Sequence, residues 1–147
     1  PMFKHILLAT DGSPASERAT TMAAGLARQH GARLTALYVV DPYPYLGIGE
    51  ANPMGFQAYM SAALDHASQA HSRVLALTQQ AGPGIEVAQR VVEDVAASTG
   101  IVQTAREQGA DLIVVGSHGR SGIARLMLGS VAARVVAEST VPVLVAR

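Results

Sequence analysis

The chain has 147 residues, 49% of them hydrophobic, a composition that suits one globular domain over 1–147 and argues against disorder. Eleven acidic residues balance eleven basic ones, leaving no overall field to attract nucleic acid or a membrane surface. Cysteine is absent, which excludes disulfides and thiolate chemistry, and no apolar run approaches the roughly 18 residues of a membrane span.

Short apolar runs alternate with longer helical stretches. His5 to Ala9 (HILLA) reads as a strand buried on both faces. Ser13 and Pro14 then read as the cap and first turn of a helix. Ala19, Met22, Ala23, Leu26 and Ala27 would form its buried face, and Gly31 its end. A second strand runs from Arg33 to Val40. The stretch from Asp41 to Phe56 is rich in proline and glycine and is expected to be a loop. A second helix is expected over Gln57–Gln80, with Met60, Leu64, Ala67, His71, Val74 and Thr78 on one stripe. Ile85–Val92 carries polar Glu86, Gln89 and Arg90, as a strand at a sheet edge would. A third helix ends at Gly109; it starts near Asp94 or Ser98, where Gly100 interrupts the pattern. Asp111–Val115 and Pro142–Ala146 complete the strands. Helical crossovers between successive strands imply a parallel sheet covered by helices on both faces, an α/β doubly wound fold.

Several nucleotide signatures are missing. The phosphate loop G-x-x-x-x-G-K-[ST] is absent, and Lys4 is the only lysine in the chain. Gly47-x-Gly49 has no glycine at 52, so the dinucleotide fingerprint fails. A receiver domain would share the fold, with Asp11 as acceptor, but would want a lysine after the fifth strand. His66 and His71 lie on different helical faces and make no metal site. Ser130, His118 and Asp11 could be assembled into a triad on paper, yet no G-x-S-x-G elbow surrounds any serine. No metal ligand and no catalytic residue is assigned.

What remains is GSHGRSGIARLMLGS, written G-x2-G-x9-G-S from Gly116 through Gly119 to Gly129-Ser130. Glycines allow backbone N–H groups to approach an anion with no Cβ in the way. Ser130 is expected to cap a helix over Val131–Glu138, whose free N–H groups favour negative charge. Arg120, Arg125 and Arg134 fall in a segment, Leu112 to Ala137, that contains no acidic residue. In a doubly wound sheet the crevice lies where strand order reverses, which would bring Asp11 and Gly116 together.

With HILLATDGS at the start, LTALYVVD at the second strand and GADLIVVGSHGRSGIARLMLGSVAARVVAESTVPVLV at the end, the chain resembles the ATP-binding universal stress proteins over nearly its whole length. That resemblance implies a five-stranded parallel sheet of order 3-2-1-4-5 and a bound ATP with Mg. Ala9, Thr10 and Asp11 would line the base and ribose, the Asp11 carboxylate lying near the ribose hydroxyls. Val39 would meet adenine through its backbone. Val115 and Gly116 would flank the nucleotide, while Gly119, Arg120, Gly129, Ser130 and Val131 would hold phosphates.

The function expected is an ATP-binding regulator in the stress response, acting through nucleotide-dependent assembly or through a protein partner such as a membrane transporter. The alternative is a slow ATPase or phosphotransferase, with His118 as the nearby general base; an interaction domain that no longer binds nucleotide is disfavoured by the intact glycine pattern. The apolar, almost uncharged strand 141–145 suggests an edge that pairs with another chain. The resemblance implies a homodimer through it, or a tetramer by further pairing. PMFKHILLATDGS lacks the ordered sections of a signal peptide, so a cytoplasmic location is expected.

Overall fold

The computed structural model describes residues 2–43, 53–118 and 128–147. Along them run β1 (His5–Ala9), α1 (Pro14–His30), β2 (Arg33–Val40), α2 (Pro53–Ala81), β3 (Val87–Glu93), α3 (Ala97–Gln108), β4 (Leu112–Gly116), α4 (Ser130–Glu138) and β5 (Val143–Ala146). The strands form one parallel sheet in the order β3-β2-β1-β4-β5, as expected. Ile6 pairs with Leu34 on one side and Leu112 on the other, so β1 sits at the centre.

Strand alternation divides the core into layers. Ile6, Leu8, Leu34, Leu112 and Val114 face α1 and α2, where Ala19, Ala23, Ala27 and Val74 meet them. Leu7, Leu37, Ile113 and Val115 face α3 and α4, against Ile101, Val102, Ala132 and Val135. Alanines four apart let α1 lie close to the sheet. Each fully buried Leu or Ile in these layers contributes about 1.5–3 kcal/mol. Between α1 and α2, Arg73 pairs with Glu17 at 2.9 Å on the solvent side. Water screens that pair, which adds little beside the apolar layers.

The boundaries of several elements differ from those expected. The second helix begins at Pro53, four residues earlier than expected; residues 44–52 of the expected loop lie outside the described residues. Met22 and Leu64, expected on buried stripes, are 40% and 44% exposed. Thr20 and Ala24 on α1, and Ala70 on α2, take the buried positions instead. Ser13 holds the N-cap position of α1, but its hydroxyl is buried and makes no cap bond. The turn is held from outside the helix, by Asp11 Oδ1 accepting the Ser13 N–H at 2.9 Å. Both C-terminal glycines, Gly31 and Gly109, adopt the left-handed conformation and end their helices as expected.

Helix α3 starts at Ala97, after Asp94 turns the chain at φ 58. Gly100 sits inside it for a reason the helical pattern hides. A Cβ there would lie 3.1 Å from the Val39 and Val95 side chains, so glycine permits α3 to press against the end of β2. Among the described residues, no helix is long and apolar enough to cross a membrane.

Candidate nucleotide-binding cleft

The carboxyl ends of β1, β2 and β4 converge on a cleft of about 250 Å³, closed on one side by α3 and α4. The cleft lies where strand order reverses, because β1 leads to β2 on one side and has β4 as its other neighbour. From β1 it takes Ala9, Thr10 and Asp11, and from β2 Val39. From β4 come Val115 and Gly116, and from the start of α4 Gly129, Ser130 and Val131. These nine residues were each read as site residues from the sequence. The other two, Gly119 and Arg120, lie outside the described residues, as does Arg125. Arg134 is exposed on α4 and does not line the cleft.

The β1 turn is built from short hydrogen bonds. The Thr10 N–H donates to the Leu37 carbonyl at 3.0 Å, which fixes the end of β1 beside β2. The buried Thr10 hydroxyl donates to Ser16 Oγ at 3.1 Å, and Ser16 Oγ donates to the Ser13 carbonyl at 2.7 Å. Gly12 then reverses the chain at φ 78, a conformation that glycine adopts without strain. Asp11 is thereby set at the cleft, one carboxylate oxygen engaged by Ser13.

On the far side, the Gly129 N–H donates to the Ser117 carbonyl at 2.6 Å, and Ser117 N–H to the Ala146 carbonyl at 2.8 Å. The N-terminus of α4 is therefore tied to the loop leaving β4. Its cap differs from the one expected: Gly129 is the N-cap and Ser130 the first helical residue. An extended residue ahead of the helix leaves its carbonyl to start the ladder, and Ala133 N–H donates to Gly129 O at 2.9 Å. Ser130 thus presents its hydroxyl and main chain at the open end of the helix, where free N–H groups attract anions.

Residues outside the expected set complete the lining. Leu37, Ala97, Ile101 and Ala132 are apolar, whereas Ser16, Asp41, Ser117 and His118 are polar. Leu37 was legible as a residue two apart from Val39 on the same face of β2, whereas Asp41 lies one residue past that strand. Ala97 and Ile101 carried no such signal, because helix position is set by packing. Ser117 Oγ and His118 Nδ1 lie 3.0 Å apart at the cleft. The arrangement gives an apolar slot at the β2 and α3 end. At the β4 and α4 end it gives a glycine-lined, donor-rich one.

The universal stress protein family profile matches residues 2–147, nearly the whole chain. The chain belongs to the universal stress protein family. A universal stress protein from Thermus aquaticus is 37% identical over 147 residues, spanning 99% of this chain and 100% of that one. Among solved structures, the universal stress protein UspA from Lactobacillus plantarum is 28% identical, with a TM-score of 0.87 over 100% of this chain and 99% of that one. A universal stress protein solved in complex with cAMP is also 28% identical, with a TM-score of 0.70 over 100% and 99% of the two chains. In the universal stress protein fold seen here, the shared sheet order is what brings β1 and β4 together at the cleft.

Proposed function

We propose that the cleft binds ATP, and that the protein is a nucleotide-dependent regulator in the stress response. The observation that carries this reading is the division of one cleft into two chemistries. Leu37, Val39, Ile101 and Val115 offer an apolar slot suited to a base, and Gly116, Gly129 and Ser130 meet the N-terminus of α4. Asp11 stands between them in the turn just past the central strand, where its carboxylate can accept from ribose hydroxyls. The similar universal stress protein in complex with cAMP supports an adenine nucleotide as the ligand class.

Among the described residues no group of three His, Asp or Glu side chains could hold a metal. A Mg²⁺ entering with ATP would accordingly keep phosphate and water ligands, as this ion usually does. The regulatory reading is preferred to an ATPase because the sequence contains no phosphate-loop lysine. Output would pass through assembly of copies along β5 or through a protein partner such as a transporter, in the cytoplasm.

The test is calorimetric titration with ATP, combined with identification of any nucleotide that co-purifies. Saturable one-to-one binding with ATP recovered intact is expected. No binding would refute the reading. Turnover of about 1 per second or faster, typical of enzymes, would replace the regulator with an ATPase and make His118 the first residue to change.

A further inference from the structure

The first turn of α1 breaks a rule that most helices keep. At an N-cap serine the hydroxyl ordinarily accepts from the N–H two or three residues further on. Here the Ser16 N–H donates instead to the Ser13 carbonyl at 3.0 Å, and Ser13 Oγ is buried with no hydrogen-bond partner among the described residues. Losing the cap bond and burying an unsatisfied hydroxyl both destabilise the turn. Local conflicts of this kind are expected where a turn serves a site.

In return the turn carries a relay of hydrogen bonds whose direction is forced. A carbonyl only accepts, so the Ser16 hydroxyl donates its single proton to the Ser13 carbonyl at 2.7 Å. Ser16 Oγ must then accept from the Thr10 hydroxyl at 3.1 Å. That uses the Thr10 proton, and Thr10 Oγ1 in turn accepts the Gly12 N–H at 3.2 Å. Both side chains are buried, so water does not compete for these bonds. The relay closes around Asp11, whose Oδ1 accepts the Ser13 N–H inside the same turn. From the β4 side the turn is pressed as well, because a Cβ at Gly116 would lie 3.2 Å from the Ala15 carbonyl.

We infer that Ser16 is a positioning residue for the nucleotide, acting through Thr10 to hold the Asp11 carboxylate in place before the ligand arrives. A turn already ordered need not be ordered on binding, which strengthens affinity. Ser16 lines the cleft, but its hydroxyl proton is committed to Ser13, so its effect on the ligand passes through Asp11. This inference rests on the nucleotide reading of the cleft.

The experiment is a double-mutant cycle, read by calorimetric titration with ATP on the wild type, Ser16→Ala, Asp11→Asn and the double variant. Ser16→Ala should weaken ATP roughly fivefold and Asp11→Asn roughly tenfold. Independent losses would multiply to about fiftyfold, whereas a Ser16 that acts through Asp11 leaves the double variant within about twofold of Asp11→Asn. A merely structural role would give the multiplied loss. Thr10→Val breaks the relay at its other end with little change in volume, and should couple to Asp11→Asn in the same way. It decides the question alone if Ser16→Ala does not fold. Losses that multiply, or an ATP affinity unchanged in Ser16→Ala or in Asp11→Asn, overturn the inference while leaving the nucleotide site intact. Failure of the wild type to bind ATP overturns the site reading, and this inference falls with it.

Discussion

Gly129 N–H donates to the carbonyl of Ser117 across 2.6 Å, so the start of α4 is fastened to the segment that leaves β4. The fastening places two separate stretches of the sequence, Gly116–His118 and Gly129–Val131, on one wall of the cleft. Gly129 itself has φ −61 and ψ 157, a conformation open to any residue. Its backbone therefore does not require glycine. What a side chain there would change is the space in the cleft.

Gly129→Val should accordingly remove ATP binding while the protein stays folded. Valine is a poorer N-cap than glycine, so about 1 kcal/mol of stability is expected to go. For a domain of this size that is a fall of roughly 2–4 °C in Tm. Titration calorimetry alongside a thermal melt separates the two effects; unchanged affinity would detach Gly129 from the ligand.

Ser130→Ala probes the helix end from the other direction. Because Ser130 is the first helical residue and not the cap, its hydroxyl is not needed to start α4. Stability should change by less than about 0.5 kcal/mol, as for an ordinary exposed site. ATP affinity should still fall, by roughly the tenfold expected for one hydrogen bond to a charged group. A large Tm loss with unaltered affinity would return Ser130 to a purely structural role.

Asp11 has two duties that paired substitutions can separate. Its Oδ1 accepts the Ser13 N–H, and the carboxylate lines the cleft. Asp11→Asn keeps an acceptor for Ser13, whereas Asp11→Ala loses it. Both variants should bind ATP more weakly, and only Asp11→Ala should also lose stability, by about 1 kcal/mol. Equal ATP affinity in wild type and Asp11→Asn would show that the carboxylate charge does not serve the ligand.

These residues also show how far the sequence could be read. The sheet order followed from helical crossovers and the family resemblance, and the glycine spacing pointed to Gly116 and Gly129. The cap was misplaced at Ser130, since residue type alone does not fix which residue leaves the helix ladder, and Ser13 takes the expected cap position without a hydroxyl bond to the helix. Gly100 looked like an interruption of a helix. Its reason is tertiary, the approach of α3 to Val39, and no local pattern carries it. Ile101 and Ala97 enter the cleft through that same approach, which is why they were absent from the expected set.

His71 makes stability depend on pH. It is 5% exposed within α2, and Nε2–H donates to the Ala36 carbonyl at 3.1 Å. Burial holds its pKa below the ordinary value, against the opposing pull of hydrogen bonds to the Ala36 and Arg90 backbone. The unfolded chain thus takes up this proton at higher pH than the folded one. Stability is full above the unfolded value near 6.5 and falls as pH drops through it toward the lower folded pKa. Denaturant titrations at several pH values between about 7.5 and 5 should show this decline, with a shallower slope in His71→Gln. An identical slope in the variant would assign the pH dependence to other groups.

The two edges of the sheet are unlike. On β3, Gln89, Arg90 and Glu93 are exposed, whereas the apolar residues Val143, Leu144 and Val145 of β5 are only partly buried. Ile113 N–H donates to the Pro142 carbonyl and Ser117 N–H to that of Ala146. Main-chain direction alternates along a strand, so the N–H and C=O groups of Val143 and Val145 point to the open edge. We propose that this edge pairs with the same strand of a second copy, since an uncharged apolar edge invites pairing. Val145→Pro removes one outward N–H and leaves the Pro142 and Ala146 bonds to β4 in place. Sedimentation at micromolar concentration should find a dimer for the wild type and a shift toward monomer for the variant, with circular dichroism unchanged. A wild-type monomer, or a variant dimer of equal strength, would rule out pairing through β5, and regulation by assembly would then need a different surface.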